Sequence, residues 1–245
     1  MVSAFVLWTA WTAGALQLPA ALDPHITEYY SKAVAAAEAE PHKALAMLEL
    51  LLVPEGTPIT IDFTGVPANL RPTFQAGIER GVGLWQAALG ADMPFALNGE
   101  PSDTGQVVIR FVDTIPTSDP HTKGQLRMTR RIQWGRSVHY VELDGEIRIS
   151  KWASQGRYFS ADEITHIVAH ELGHAFGLGD APNRDRIMGP VFIGSPYARL
   201  NPVEVETVMS FRTSLRQDYA RATELAAQSS RSRGPKVASA TGGGS

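Results

Sequence analysis

His170-Glu171-Leu172-Gly173-His174-Ala175-Phe176-Gly177-Leu178-Gly179-Asp180 is the stretch on which the reading of this chain turns. Ten residues upstream, Ser160 is followed by Glu163 in a capping-box pattern, so a helix is expected to start near Ala161 and run through both histidines. Residues four apart lie one above the other on a helix. His170 and His174 can therefore offer two imidazoles to one ion, with Glu171 beside them facing the water that such an ion activates. A catalytic zinc needs a third protein ligand and an open fourth position. Asp180 is the candidate, because Gly177 can take the left-handed conformation that ends the helix and turns the chain back toward the ion. Asp185 competes less well, since it lies beyond Pro182 without the glycine turn. His166 shares the helix row, but imidazoles one turn apart are spread by about 6 Å along the axis, too far for all three to reach one ion. It is read as a partly exposed helix residue near the cleft. HExxH alone is a weak signal, and the glycine and aspartate at fixed offsets make it specific.

Working outward, residues 59–63 alternate as a strand and residues 73–89 carry helical periodicity with Gly90 placed to cap the end. Residues 94–97 and 106–113 read as further strands. Residues 137–143 and 146–152 read as a hairpin about the turn pair Asp144-Gly145. Phe74 and Trp85 in the helix, and Val108 with Phe111 in the strand, are expected to fill the core. Residues 113–124, rich in Thr, Pro and Asp, form an exposed loop. Toward the N-terminus, Asp23-Pro24 can cap a helix running to residue 40. Pro41 interrupts the pattern, which resumes over residues 42–52, so a two-helix hairpin is expected there. Residues 229–245 end in a Gly/Ser/Ala-rich tail that is read as disordered.

Composition narrows the function. The 245 residues are 44% hydrophobic and 19% charged, which suits one main globular domain with a sizeable core. A formal net charge of −3 supplies no cationic field for nucleic acid. The absence of cysteine rules out disulfides, thiolate ligands and thiol nucleophiles, so any metal must be held by histidine and carboxylate. Residues 1–22 are apolar and end in small residues. They read as a signal peptide's core lacking its basic start, or as a membrane anchor of just sufficient length, and place the protein outside the cytoplasm, secreted or tethered.

The extended motif resembles the metzincin clan of zinc metalloproteases, and within it the matrixin-like enzymes and the small members with an aspartate third ligand, as in snapalysin. Ile187-Met188-Gly189-Pro190 is similar to the clan's Met-turn, in which a methionine forms an apolar floor beneath the zinc. Asn201-Pro202-Val203-Glu204 opens a helix that matches the clan's C-terminal one. The resemblance implies an α+β fold: a mixed, twisted sheet of about five strands with two main helices, here preceded by the helical hairpin. It divides the chain into a signal-like segment (1–22), a hairpin (23–56), a catalytic domain (57–228) and a tail (229–245). Matrixins block their zinc with a propeptide cysteine that this chain lacks, so the hairpin is either another kind of pro-segment or no inhibitor. Only His121 and His139 fall in the region of the matrixin structural-zinc loop, and a second zinc is not supported. Asp113 or Asp119 could contribute to a calcium site for which the sequence offers nothing further.

The expected activity is zinc-dependent endopeptidase, with Glu171 as general base, His170, His174 and Asp180 as ligands, Gly177 as the helix-ending turn and Met188 in a structural role. The expected substrate is an extended polypeptide paired to an edge strand, either residues 126–134 or 137–143, with a pocket wall from residues 189–200 in which Tyr197 is a wall or surface residue. The chain is expected to act as a monomer. The alternative is a catalytically silent zinc-binding scaffold or interaction protein.

Overall fold

A computed structural model of the protein describes residues 21–100, 105–117, 122–134 and 139–232. Five strands form its main sheet: β1 (Thr57–Asp62), β2 (Phe95–Leu97), β3 (Gly105–Val112), β4 (Gly124–Trp134) and β5 (His139–Ser150), in the order β2-β1-β3-β5-β4. The pairs β2/β1, β1/β3 and β3/β5 are parallel, and β4 runs antiparallel to β5 at the edge. Among the described residues five α-helices accompany it, and the fold is α+β with a mostly parallel sheet. Side chains alternate across a strand, so Val107, Ile109 and Phe111 enter the core together. Val108, expected in the core beside Phe111, is one residue out of phase and only half-buried on the other face.

The expected hairpin at Asp144-Gly145 does not form, because β5 runs straight through both residues. Gly145 stands opposite Val107 of β3, where an added Cβ would lie 2.8 Å from the valine Cγ2. Its missing side chain admits a neighbouring strand instead of a turn. The antiparallel partner of β5 is β4, paired from Gly124 with Ile149 to Trp134 with His139, and the connection between them lies outside the described residues. The edge is therefore β4, and β5 sits between β3 and β4.

Helices α3 (Arg71–Leu89) and α4 (Ala161–Ala175) pack on each other and carry the central core. The buried Trp85 indole donates to the Ala169 carbonyl at 2.8 Å and meets the Phe176 ring edge-on at 5.0 Å, pinning the two helices near the end of α4. Helix α1 (Pro24–Ala36) is capped by Asp23, whose carboxylate accepts from the His25 and Ile26 amides. Pro41 begins α2 (Pro41–Glu49) at a position where a missing N–H costs nothing. This hairpin is not a separate unit. It packs on α5 (Pro202–Ser232), with buried Tyr30 against Phe211 and its hydroxyl on Asp218, and its leucines belong to the same core as the sheet. Arg130 of β4 fastens it to α4 by donating to the Leu50 carbonyl at 3.1 Å and to Ala175, at the end of α4, at 3.2 Å. Burial lowers that guanidinium to about 10, so it stays charged at neutral pH beside two helix C-termini, which favour a cation. Helix α5 runs through Ser232, past the expected domain end at residue 228, and residues 233–245 lie outside the described residues. Among the described residues no helix is long and apolar enough to cross a membrane, and residues 1–20 are outside them.

The short ribbon of β6 (Trp152–Ser154) and β7 (Arg157–Tyr158) leads into α4 at its expected start. Ser160 Oγ accepts from the Glu163 amide, and Glu163 reaches back to the Ser160 amide at 2.8 Å, completing the capping box. The same buried carboxylate takes two bonds from Arg157, at 2.7 and 3.0 Å, and one from the Gly194 amide at 2.7 Å. Burial alone would raise Glu163, but the Arg157 guanidinium and the Ser160 and Gly194 amides outweigh it and hold the carboxyl at about 2 against an ordinary 4.5. A carboxyl depressed on folding stabilises fully above its unfolded pKa and loses that contribution as pH falls toward the folded one. The stability gap between the wild type and Glu163→Gln, read as urea midpoints with chelator present, should be constant above about pH 5 and close between about pH 4.5 and 2. A gap independent of pH would contradict this role.

Candidate metal centre

Helix α4 ends in a Schellman motif immediately after His174. Gly177 takes φ +95°, its amide donates to the His174 carbonyl at 3.0 Å, and the Leu178 amide donates to Gly173 at 3.0 Å. The left-handed residue is the turn expected there, and it brings Asp180 back over the helix. His170 Nε2 and His174 Nε2 lie 3.1 Å apart, and Asp180 Oδ1 is 3.3 Å from the first and 3.4 Å from the second. Ligand atoms about 2.0 to 2.1 Å from a tetrahedral ion are separated by about 3.3 to 3.4 Å, so this triangle has the size of one face of a zinc site.

The second nitrogen of each imidazole decides what the first can do. His170 Nδ1 lies 3.0 Å from the Ile187 carbonyl and His174 Nδ1 lies 2.9 Å from the Leu178 carbonyl. A carbonyl only accepts, so each Nδ1 carries the proton and each neutral ring turns a lone pair at Nε2 toward the other and toward a carboxylate. Three electron pairs converge where a cation would be attracted to all of them. Among the described residues these three form the one group of ionisable side chains spaced to hold a metal. Asp180 is largely exposed, with 79% of its side chain accessible, which leaves the outer side of the triangle open. A proton taken up at Nε2 of His170 or His174 would be shared with Asp180, and these two imidazoles hold its carboxyl well below the usual carboxylate range. Burial lowers His174, but Asp180 and Glu171 outweigh it and raise that imidazole.

Glu171 is 96% buried beside the triangle, in a cleft of about 420 Å³ lined by Lys123, Gly124 and Leu126 on one side and Pro190 and Val191 on the other. Burial raises its pKa against the pull of His170, His174 and the Leu126 amide, which moves the carboxylate toward the range of a general base. A Cβ on Gly124, at the start of β4, would stand 2.3 Å from Glu171 Oε1, so this glycine makes the room that the carboxylate occupies. Of the two strands considered as the substrate edge, only β4 lines the cleft among the described residues.

Met188 is buried against α4, where its Sδ would be 2.2 Å from a Cβ on Gly173. The turn that carries it is tied down by Glu204, a buried carboxylate accepting from the amides of Met188 at 2.9 Å, Ile187 at 3.3 Å and Asn201 at 2.9 Å. Glu204 thus caps α5 and fixes the carbonyl that orients His170. The pattern of Asn201 with Glu204 three residues on was its available signal. His166, expected to be partly exposed, is buried: Nε2 donates to the Gly189 carbonyl at 3.2 Å and Nδ1 accepts from the Tyr197 amide at 3.1 Å. Burial lowers it to about 4, so it is a neutral strut between α4 and the loop after Met188. Asp185 is exposed and stays outside the ligand group, and Tyr197 carries Arg199 over its ring instead of lining the cleft. Asp113 pairs with Lys151 at 2.8 Å and Trp152 at 3.2 Å, while Asp119 and His121 lie outside the described residues. The chain matches no model of a known protein family and no curated protein.

Adding a methyl at Gly173 forces Met188 out of a filled position. Gly173→Ala should destabilise the fold by about 1–3 kcal/mol in urea denaturation with chelator present, and the loss in the double variant with Met188→Ala should be smaller than the sum of the two single losses. Unchanged stability in Gly173→Ala would show that Met188 is not wedged there.

Proposed function

We propose that this protein is a zinc-dependent endopeptidase of metzincin type, with His170, His174 and Asp180 as ligands and Glu171 as the general base. The observation that carries the reading is the triangle of two lone-pair imidazole nitrogens and one carboxylate oxygen, 3.1 to 3.4 Å on a side, with a buried glutamate beside it. Zinc bound there would polarise the scissile carbonyl and acidify a water molecule. Glu171 takes a proton from the attacking water at a carboxylate oxygen and returns it to the leaving amine nitrogen. Buried beside the cleft, the carboxylate is in place to accept that proton and then donate it.

The edge strand β4 supports a polypeptide substrate. Its first residues line the cleft, and among the described residues no strand pairs with its outer edge, so an extended chain laid alongside can pair with backbone groups there other than the Leu126 amide, while alternate side chains point into the cleft. The turn holding Met188 and the helix after Asn201 fit the Met-turn and C-terminal helix that the resemblance implies. The hairpin of α1 and α2 supplies no residue to the cleft lining, and its packing on α5 favours a structural part of the enzyme over a blocking pro-segment.

Incubated with a mixture of unfolded proteins, the zinc-loaded protein should cut them, and chelator should abolish cleavage. Glu171→Ala should retain about one zinc and lose about 10²–10⁴-fold in rate. Undiminished cleavage by Glu171→Ala would overturn the mechanism, and bound zinc without cleavage by the wild type would favour the silent scaffold.

A further inference from the structure

The third-ligand turn is held from outside by the start of the described chain. Leu22 forms an antiparallel bridge with Leu178: the Asp23 amide donates to the Gly177 carbonyl at 2.9 Å, and the Gly179 amide donates to the Ala21 carbonyl at 3.0 Å. Flanked by these two bonds, Leu22 and Leu178 form the close type of antiparallel pair, in which the side chains pack directly. Both are buried, Leu22 at 4% exposure and Leu178 at 0%. Gly179 faces the same strap, where a Cβ would lie 3.3 Å from Asp23 Cα. The following residue is Asp180, whose own side chain is exposed and, among the described residues, is held by the two histidines alone. Leu178 also carries the carbonyl that receives His174 Nδ1. One three-residue segment thus grips the backbone on both sides of the residue that orients one ligand and delivers another. On the inner side, the turn is held by Ala181, whose amide donates to the Met188 carbonyl at 2.8 Å.

We infer that Ala21-Leu22-Asp23 is a positioning strap for the metal centre, setting the height of Asp180 and the rotation of His174. The inference rests on the zinc reading of the site. Cleavage after Leu22 would remove one partner of the bridge and the Ala21 acceptor. The last residue of the strap, Asp23, is also the cap of α1.

The test uses the full chain with Leu22→Ala and Leu22→Lys, and Leu48→Ala as a control, because Leu48 is as fully buried but lies in α2, which packs on α1 and α5. At a temperature where circular dichroism shows every variant folded, zinc affinity is measured by competition with a chromophoric chelator. Cobalt(II) put in place of zinc reports the coordination geometry through its visible absorption. Both Leu22 variants should bind zinc about tenfold or more weakly, with altered cobalt absorption, and Leu48→Ala should bind as the wild type does. Wild-type affinity in the Leu22 variants would overturn the strap while leaving the zinc site standing. An equal loss in Leu48→Ala would reduce it to general stability, and no zinc bound by the wild type would remove the metal reading itself.

Discussion

Two imidazole nitrogens and a carboxylate oxygen turned toward one point make an arrangement that repels itself until a cation joins it. The two histidine rings cannot relieve this by rotating, because each Nδ1–H is committed to a backbone carbonyl, His170 to Ile187 and His174 to Leu178. Those carbonyls belong to two different turns, and each turn is fixed in its own way. The Ile187 turn is bound to a buried carboxylate at the head of α5, and the Leu178 turn to the helix end it follows and to the strap that crosses it. Much of the chain beyond α4 can be understood as supplying those constraints.

Buried carboxylates do the fastening twice. Glu163 gathers Arg157, the start of α4 and the Gly194 amide, and Glu204 gathers the start of α5 and the turn over Met188. Each accepts from the amide of the residue that caps its helix and spends its remaining lone pairs on other segments of the chain, which compensates for taking a charge out of water. His166 joins the same loop system to α4 as a neutral, doubly bonded ring. The cleft is therefore walled by a segment with little regular structure that is nonetheless tied at Met188, Gly189, Gly194 and Tyr197.

Local signals were legible in the sequence because their physics is local. Ser160 with Glu163, Asp23-Pro24, Pro41, Gly90 and Gly177 each act within one helical turn, and each is found at the helix end expected of it. The grouping of His170, His174 and Asp180 followed from the same turn-level geometry. Asp144-Gly145 misled because the pair is a strong turn signal only when no third strand needs the space, and Val107 needs it. The face of Val108 and the burial of His166 depend on which elements pack over them, and no short window contains that. The bridge from Leu22 to Leu178 joins three residues to three others across the whole domain, with no motif at the Leu22 end to announce it. The hairpin's membership of the main core was hidden for the same reason, since its partner helix is 150 residues away.

The central claim is that one metal is held by two imidazoles and one carboxylate. Zinc K-edge absorption of the zinc-loaded protein tests it most directly, because scattering within the imidazole ring counts histidine ligands while the nearest shell gives bond lengths. The account predicts one zinc per chain with two imidazoles and the remaining ligands oxygen, all at about 2.0–2.2 Å. Three coordinated imidazoles, or zinc retained at full strength by Asp180→Ala, would contradict it.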